Sequence, residues 1–304
     1  MQNKLVLAKE NKMDRSGLAG QIIDEITACT GWERPVVRDQ VLREMKQPGS
    51  TQIQEALEQG LDFHVYNSAM DRFYKTAKSF IFVLSVDFYS KERQTLIGRV
   101  KERLQQYLKK MPDDYKIKIL MFGDGIGGDT LFLHSFFKER ACFYYFDVPG
   151  SETFRYALKR FQLHGVSVKI LTDYSQIPSG AFDALISLEV LEHLPDPLTA
   201  IGDFRRFLRM DGIAIVSECF QGVCDQYPTH LRSNLKYAGK TPFLFLKKGL
   251  MLDYYARQWP LLFKPMEFVK REAVTALDWI RLSTDPCVIA LFCRWWVVSR
   301  RSVS

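Results

Sequence analysis

The sequence predicts an α/β protein, a mostly parallel sheet flanked by helices and preceded by a helical N-terminal extension. Three observations carry that expectation. Between residues 116 and 217 short apolar runs alternate with helix-like stretches, the rhythm of βαβ units. Before residue 113 the apolar residues recur only at helical spacing. A glycine-rich turn, Gly123-Asp124-Gly125-Ile126-Gly127-Gly128, stands where the first apolar run gives way to a helical pattern.

The extension reads as follows. Leu18, Ile22, Ile23 and Ile26 share a helical face that Gly31 ends. Pro35 opens a second helix carrying Val37, Val41 and Met45. Pro48-Gly49-Ser50 interrupts it before Ile53 and Leu57 resume the pattern up to Gly60. Phe63, Tyr66, Met70 and Phe73 are expected on one further helical face, and Leu96, Val100, Leu104 and Leu108 on an amphipathic helix over 90–110.

Strands are then expected at Lys116–Phe122, Cys142–Phe146, Val166–Leu171, Phe182–Ser187 and Ile213–Ser217, with helices at Thr130–Lys138, Thr153–Gln162 and Leu198–Leu208. The division into domains is placed at 1–112 and 113–304. The last strand is expected within Pro286–Val298, whose bulk alternates.

Composition narrows the function classes. Of 304 residues 47% are hydrophobic and 25% charged, values ordinary for a globular protein with a substantial core. Six cysteines without a C-x-x-C pair and five scattered histidines predict reduced thiols, a cytoplasmic location and no metal site. Lys4, Lys9, Glu10, Lys12 and Asp14, with no apolar run between them, predict no secretory signal. The apolar runs Phe80–Val86 and Cys287–Val298 are shorter than the ~20 residues of a membrane span. Residues 219–304 hold 13 Lys/Arg against 6 Asp/Glu, but no basic block reaches five residues, and this face is read as solvated surface.

The turn points to the ligand. Gly123, Gly125 and Gly128 satisfy G-x-G-x-x-G, so a dinucleotide is one reading. Asp147 ends the second strand, where a carboxylate accepts from both ribose hydroxyls of any adenosine ligand. Asp124 and Asp129, however, sit where a pyrophosphate would have to lie, and like charges repel. Asp129 is read as an acid favoured at a helix N-terminus. Asp124 is read as a partner for a cationic ligand.

Downstream stand Asp173-Tyr174-Ser175-Gln176-Ile177-Pro178, Phe182-Asp183, Ser187-Leu188-Glu189-Val190-Leu191-Glu192-His193-Leu194 and Gly212. With the glycine turn and Asp147, these segments resemble, in order and spacing, the class I S-adenosylmethionine-dependent methyltransferases, particularly the ubiquinone-biosynthesis-like branch. The resemblance covers residues 117–218 and implies a Rossmann-like, seven-stranded sheet. It implies S-adenosylmethionine as cofactor, S-adenosyl-L-homocysteine as product, and methyl transfer to an O, N or C atom of a small molecule in secondary-metabolite or cofactor biosynthesis. By that resemblance Gly123, Gly125 and Gly127 shape the cofactor turn, and Asp147 and Val148 meet the ribose. Asp173 reaches the adenine amino group with Tyr174 beside the ring, while Ser187, Leu188 and Glu189 lie near the methionine part.

Two departures stand out: Met121 where many relatives place an acid, and Met210-Asp211 where a Pro-Gly is usual. Asp183 begins a strand away from the ligand end and is read as structural. His193, just beyond the fourth strand, and His230, in the segment after the fifth, are the candidates for a general base. A lid over the strand ends is expected from Phe63–Tyr74 and from the insert between Cys219 and about Pro265. Neither a nucleic-acid partner nor a membrane span is expected, and a homodimer stays open. Two other classes remain: a catalytically silent binding protein and a nicotinamide-dependent oxidoreductase.

Overall fold

The computed structural model describes residues 15–78, 80–257 and 262–301, so the charged residues 4–14 and part of the expected insert, 258–261, lie outside it. Among the described residues six helices precede the first strand: α1 (Arg15–Thr30), α2 (Arg34–Lys46), α3 (Ser50–Glu58), α4 (Ser68–Thr76), α5 (Phe80–Tyr89) and α6 (Lys91–Leu108). Pro35 lies in the first turn of α2, where its missing N–H costs nothing. Ser90 caps α6 by accepting from Arg93 N, and Leu96, Val100, Leu104 and Leu108 are buried along its length as the spacing predicts.

The expected face Phe63–Phe73 is not one helix. Asn67 caps α4 by accepting from the amides of Ala69 and Met70, so residues 61–66 stay outside it, with His64 in a left-handed conformation at φ 68°. In α3 the inner face is Gln52 and Ala56, and Leu57 is exposed.

The strands are β1 (Ile117–Phe122), β2 (Ala141–Phe146), β3 (Lys169–Ile170), β4 (Phe182–Leu188), β5 (Leu208–Ser217), β6 (Leu250–Arg257) and β7 (Leu262–Lys270). They form one seven-stranded sheet in the order β3-β2-β1-β4-β5-β7-β6. β1 with β4, β4 with β5 and β2 with β3 are parallel; β7 runs antiparallel to β5 and β6. Strand order reverses at β1/β4, the switch point outside which open sheets bind ligands. Between and after the strands lie α7 (Gly128–Phe137), α8 (Glu152–Leu163), α9 (Pro197–Phe207), α10 (Thr241–Lys247), α11 (Ala276–Thr284) and α12 (Pro286–Arg301).

The antiparallel strand is therefore not drawn from Pro286–Val298. That segment is helical because Asp285 accepts from the amides of Cys287 and Val288, Pro286 opens the first turn, and Val288 and Leu291 are buried at helical spacing.

The chain separates into two compact units. The first holds residues 1–61, 67–116 and 124–172. Its core joins Ile22 and Ile26 of α1, Val37 and Val41 of α2 and Phe80 and Leu84 of α5 to Ile126 of the glycine turn and Tyr156 of α8. The rings of Phe80 and Tyr156 stack at 4.5 Å. The second unit holds residues 62–66, 117–123 and 173–304. Here Asp183, buried at the start of β4, accepts from Lys118 N at 2.7 Å and pairs with Arg209 at 2.5 Å, tying β1, β4 and β5 at the end away from the switch point. A Cβ on Gly212 would come within 3.0 Å of Arg209 and Phe182 carbonyl oxygens, which explains the glycine before the apolar part of β5.

Candidate active site

In the first unit the glycine turn is braced from three sides. Gly125 and Gly127 take left-handed conformations, φ 51° and 74°, and a Cβ on Gly127 would lie 2.5 Å from the Phe161 ring. Gly128, the third glycine of the dinucleotide pattern, is not left-handed. The Tyr145 hydroxyl donates to the Gly125 carbonyl, and Arg160 Nη1 donates to the Ile126 carbonyl at 2.8 Å. Arg160 is itself held by Glu25 of α1 at 2.6 Å. The Asp147 carboxylate accepts from Gly125 N at 2.6 Å and from Val148 N at 2.7 Å, so the end of β2 is fixed against the turn. Burial raises the Asp147 pKa, which those two amides only partly offset.

Asp124 faces α7. Its oxygens accept from Asp129 N at 3.1 Å, Thr130 N at 2.8 Å and the Thr130 hydroxyl, so it satisfies the orphan amides of the first helical turn. Burial first, then the charge of Asp129, pushes its pKa well up. Asp129 in turn pairs with Arg93 of α6 at 2.6 Å, and Arg93 reaches Asp87 of α5 at 3.4 Å.

In the second unit, at the carboxyl end of β1, Gly123 has φ 77° and a Cβ there would fall 2.6 Å from a Val190 methyl. Asp173 caps a short 3₁₀ turn, one oxygen accepting from the amide and hydroxyl of Ser175 at 2.7 Å each, which lowers its pKa. The Tyr174 ring meets Phe122 and Phe207 edge-on, and its hydroxyl donates to Asp203. At the end of β4, Ser187 is buried with a hydroxyl that has no hydrogen-bond partner among the described residues, and Leu188 is buried beside it. Glu189 takes φ 56° and accepts from Lys264 of β7 at 2.6 Å.

Beyond β4 lies an acid–imidazole cluster in which Glu192 and His230 are buried and His193 is half-buried. Glu192 and His193 share a 3₁₀ turn, Leu191–His193, and His230 comes from the loop after β5. One potential ligand atom from each lies within 4.8 Å of the others. The two imidazoles meet edge-on at 4.7 Å, and His230 stacks on Tyr227 at 4.8 Å. Asn234 Nδ2 donates to the carbonyls of Glu192 and Leu194 at 3.1 and 2.8 Å, and Leu231 N donates to Glu192 O at 3.0 Å, stapling the loop to the turn. His64 holds the loop from the other side: its Nδ1 lies 2.9 Å from His230 O and its amide donates to Pro228 O at 2.9 Å. Burial pulls the His193 pKa down to about 4 and, with help from His193, that of His230 down to about 3. Both rings are neutral at pH 7. Burial, then Glu189, pushes Glu192 well up. Glu218, at the end of β5, binds Thr241 and Phe220 N.

The structure thus brings His193 and His230 together, leaves Ser187 and Leu188 at the end of β4 with Glu189 just after it, and sets Asp147 against Gly125. It turns the carboxylate of Asp124 toward α7. Of the aromatic residues expected in a lid, Phe73 is core, whereas Phe63 and Tyr66 belong to the segment 62–66 docked on the His230 loop. Sequence reasoning passed over Glu192, Lys264, Asn234 and His64. Glu192 lay inside the Leu-Glu-His-Leu run, and its burial was the missing signal; the other three carry no local pattern.

A family model described as a methyltransferase domain matches residues 89–280, more than half of the chain. Among solved structures the chain is similar to the CurJ carbon methyltransferase, at 14% identity over 86% of this chain and 72% of that one, with a TM-score of 0.54. It is also similar to the DszA carbon methyltransferase, at 14% identity over 80% and 71%, with a TM-score of 0.53. No curated protein matches the sequence.

Proposed function

Starting from a chain that belongs to the methyltransferase-domain family, and is a class I enzyme dependent on S-adenosylmethionine, we propose that its acceptor is a small molecule carrying a removable proton on C, O or N. The observation that carries this reading is the cluster of Glu192, His193 and His230 just past the carboxyl end of β4.

Each unit, taken by itself, carries residues that suit the cofactor. Each Asp147 oxygen holds one backbone amide, which leaves lone pairs for two ribose hydroxyls. The buried Ser187 hydroxyl lacks a partner among the described residues, as expected of a group that meets the polar methionine part. Gly123, crowded by Val190, keeps the backbone bare where a nucleoside would approach. Asp173 has one oxygen in its own turn and the other available to an adenine amino group. The cofactor supplies an electrophilic methyl group on a sulfonium.

What this chain adds is orientation and exclusion of water. Neutral imidazoles at 193 and 230 turn lone pairs rather than charge to the acceptor side of the site. The segment 62–66 and the loop 228–232 hold those rings still, and residues 62–66 and 219–257 are the parts of the chain we assign to acceptor selectivity.

Calorimetry tests the cofactor half. Losing hydrogen bonds to a charged acceptor costs roughly 1.5–3 kcal/mol, so Asp147→Ala should weaken S-adenosylmethionine binding about tenfold to a hundredfold. Unchanged affinity in a folded variant removes Asp147 from the site. The acceptor half is tested by incubating the enzyme and methyl-labelled cofactor with fractionated cell extract. Label is expected in the small-molecule fraction, and label confined to protein or nucleic acid would overturn the reading.

A further inference from the structure

We propose that Glu192, His193 and His230 form a binding site for one divalent transition-metal ion of the zinc type. The sequence gives no hint of it, because the residues follow none of the short ligand spacings of structural zinc sites. The fold assembles them.

Their chemistry is that of a two-imidazole, one-carboxylate set. His193 Nδ1 lies 3.2 Å from the Thr229 carbonyl. A carbonyl only accepts, so Nδ1 carries the hydrogen and Nε2 the lone pair, the arrangement in which a backbone oxygen orients a metal-binding histidine. Among the described residues no other side chain hydrogen-bonds to either oxygen of Glu192, which is 1% exposed, and the His230 ring is met in hydrogen bonding only by the backbone at Gly222. Burial and Glu189 hold this carboxyl in its neutral form, and a cation bound there would let it ionise. Nearby charges do not fill that role: Lys264 is engaged by Glu189 at 2.6 Å, and Glu218 spends its oxygens on Thr241 and Phe220 N. Three acidic groups, Glu189, Glu192 and Glu218, thus share one ammonium, and a doubly charged ion would add the positive charge that lets Glu192 ionise.

The ligand atoms lie within 4.8 Å of one another. Around tetrahedral zinc, donors at bond lengths of ~2.0–2.2 Å are about 3.3 Å apart, so closing on an ion asks for side-chain rotation. Imidazole donors select zinc, cobalt or iron over magnesium and calcium, which prefer oxygen throughout. Three protein ligands leave a position open, as in catalytic sites. Resting on the acceptor reading above, we assign that position to an acceptor oxygen, polarised by the ion.

The test uses the untagged full-length protein after EDTA treatment and desalting. With Zn²⁺, one ion per chain should survive gel filtration, as read by elemental analysis, and should raise the melting temperature reversibly with EDTA. Co²⁺ should give the visible absorption of a bound, low-coordinate ion. Glu192→Gln and His230→Gln should each weaken Zn²⁺ binding by about tenfold to a hundredfold, with S-adenosylmethionine affinity unchanged. If either variant fails to fold, the stoichiometry and Co²⁺ spectrum of the wild type still decide. No retained ion, or retention undiminished in both folded variants, overturns the proposal. Zn²⁺ binding without S-adenosylmethionine binding would count against the acceptor reading and leave the metal site standing.

Discussion

Gly125 and Gly127 share a left-handed backbone, but only Gly127 is crowded. Alanine at either position pays the left-handed penalty of roughly 1–2 kcal/mol. At Gly127 the new Cβ would also meet the Phe161 ring at 2.5 Å, whereas at Gly125 it meets nothing within 4 Å. Gly127→Ala should therefore lower stability in urea unfolding by clearly more than Gly125→Ala, and equal losses would show that Phe161 gives way. At the same scale, an acid in the glycine turn, Asp124, is expected to repel phosphate and to suit a cationic ligand. Its charge still disfavours phosphate, but its oxygens cap α7. Sequence shows that a carboxylate is present and not which way it turns.

The contact between α1 and α8 runs through Glu25, Arg160 and His164. Burial alone would raise the Glu25 pKa, but Arg160, followed by His164, more than offsets it and holds the group below its ordinary value of 4.5. A carboxyl depressed on folding stabilises fully above its unfolded pKa, and that stability is lost as pH falls through the folded one. Glu25→Gln should thus be less stable than wild type at pH 7, and the gap should narrow below about pH 4.5. A gap independent of pH in urea titrations would deny the pair this role. Elements were legible where their signal is local. The runs of β1, β2, β4 and β5 and the face of α6 announce themselves. The closing pair β6 and β7 does not, since Lys264, Pro265 and Glu267 make β7 look like a loop, and its register is set by β5. The stretch Pro286–Val298 misled because bulk alternating in a short window also fits a helix face.

For the molecule as a whole, the parallel sheet and its cofactor turn could be read from motifs that sit close together in sequence. The acid–imidazole cluster could not, because it joins residues 64, 192, 193, 230 and 234 through burial and backbone carbonyls. The role of residues 1–60 is the question that remains at this scale. One model makes them an independent helical module. The packing argues otherwise, since Ile22, Ile26, Val37 and Val41 share a core with Ile126 and Tyr156, and Glu25 neutralises the buried Arg160 that holds the Ile126 carbonyl. Each buried aliphatic side chain is worth about 1.5–3 kcal/mol, and stranding a buried guanidinium costs about 3–5 kcal/mol. Together these rival the whole stability of a domain, roughly 5–15 kcal/mol. Deleting residues 1–60 should therefore abolish cooperative unfolding of the remaining chain and S-adenosylmethionine binding with it, before any acceptor is supplied. A truncated chain that unfolds cooperatively and binds the cofactor with wild-type affinity would make the N-terminal helices a separate module.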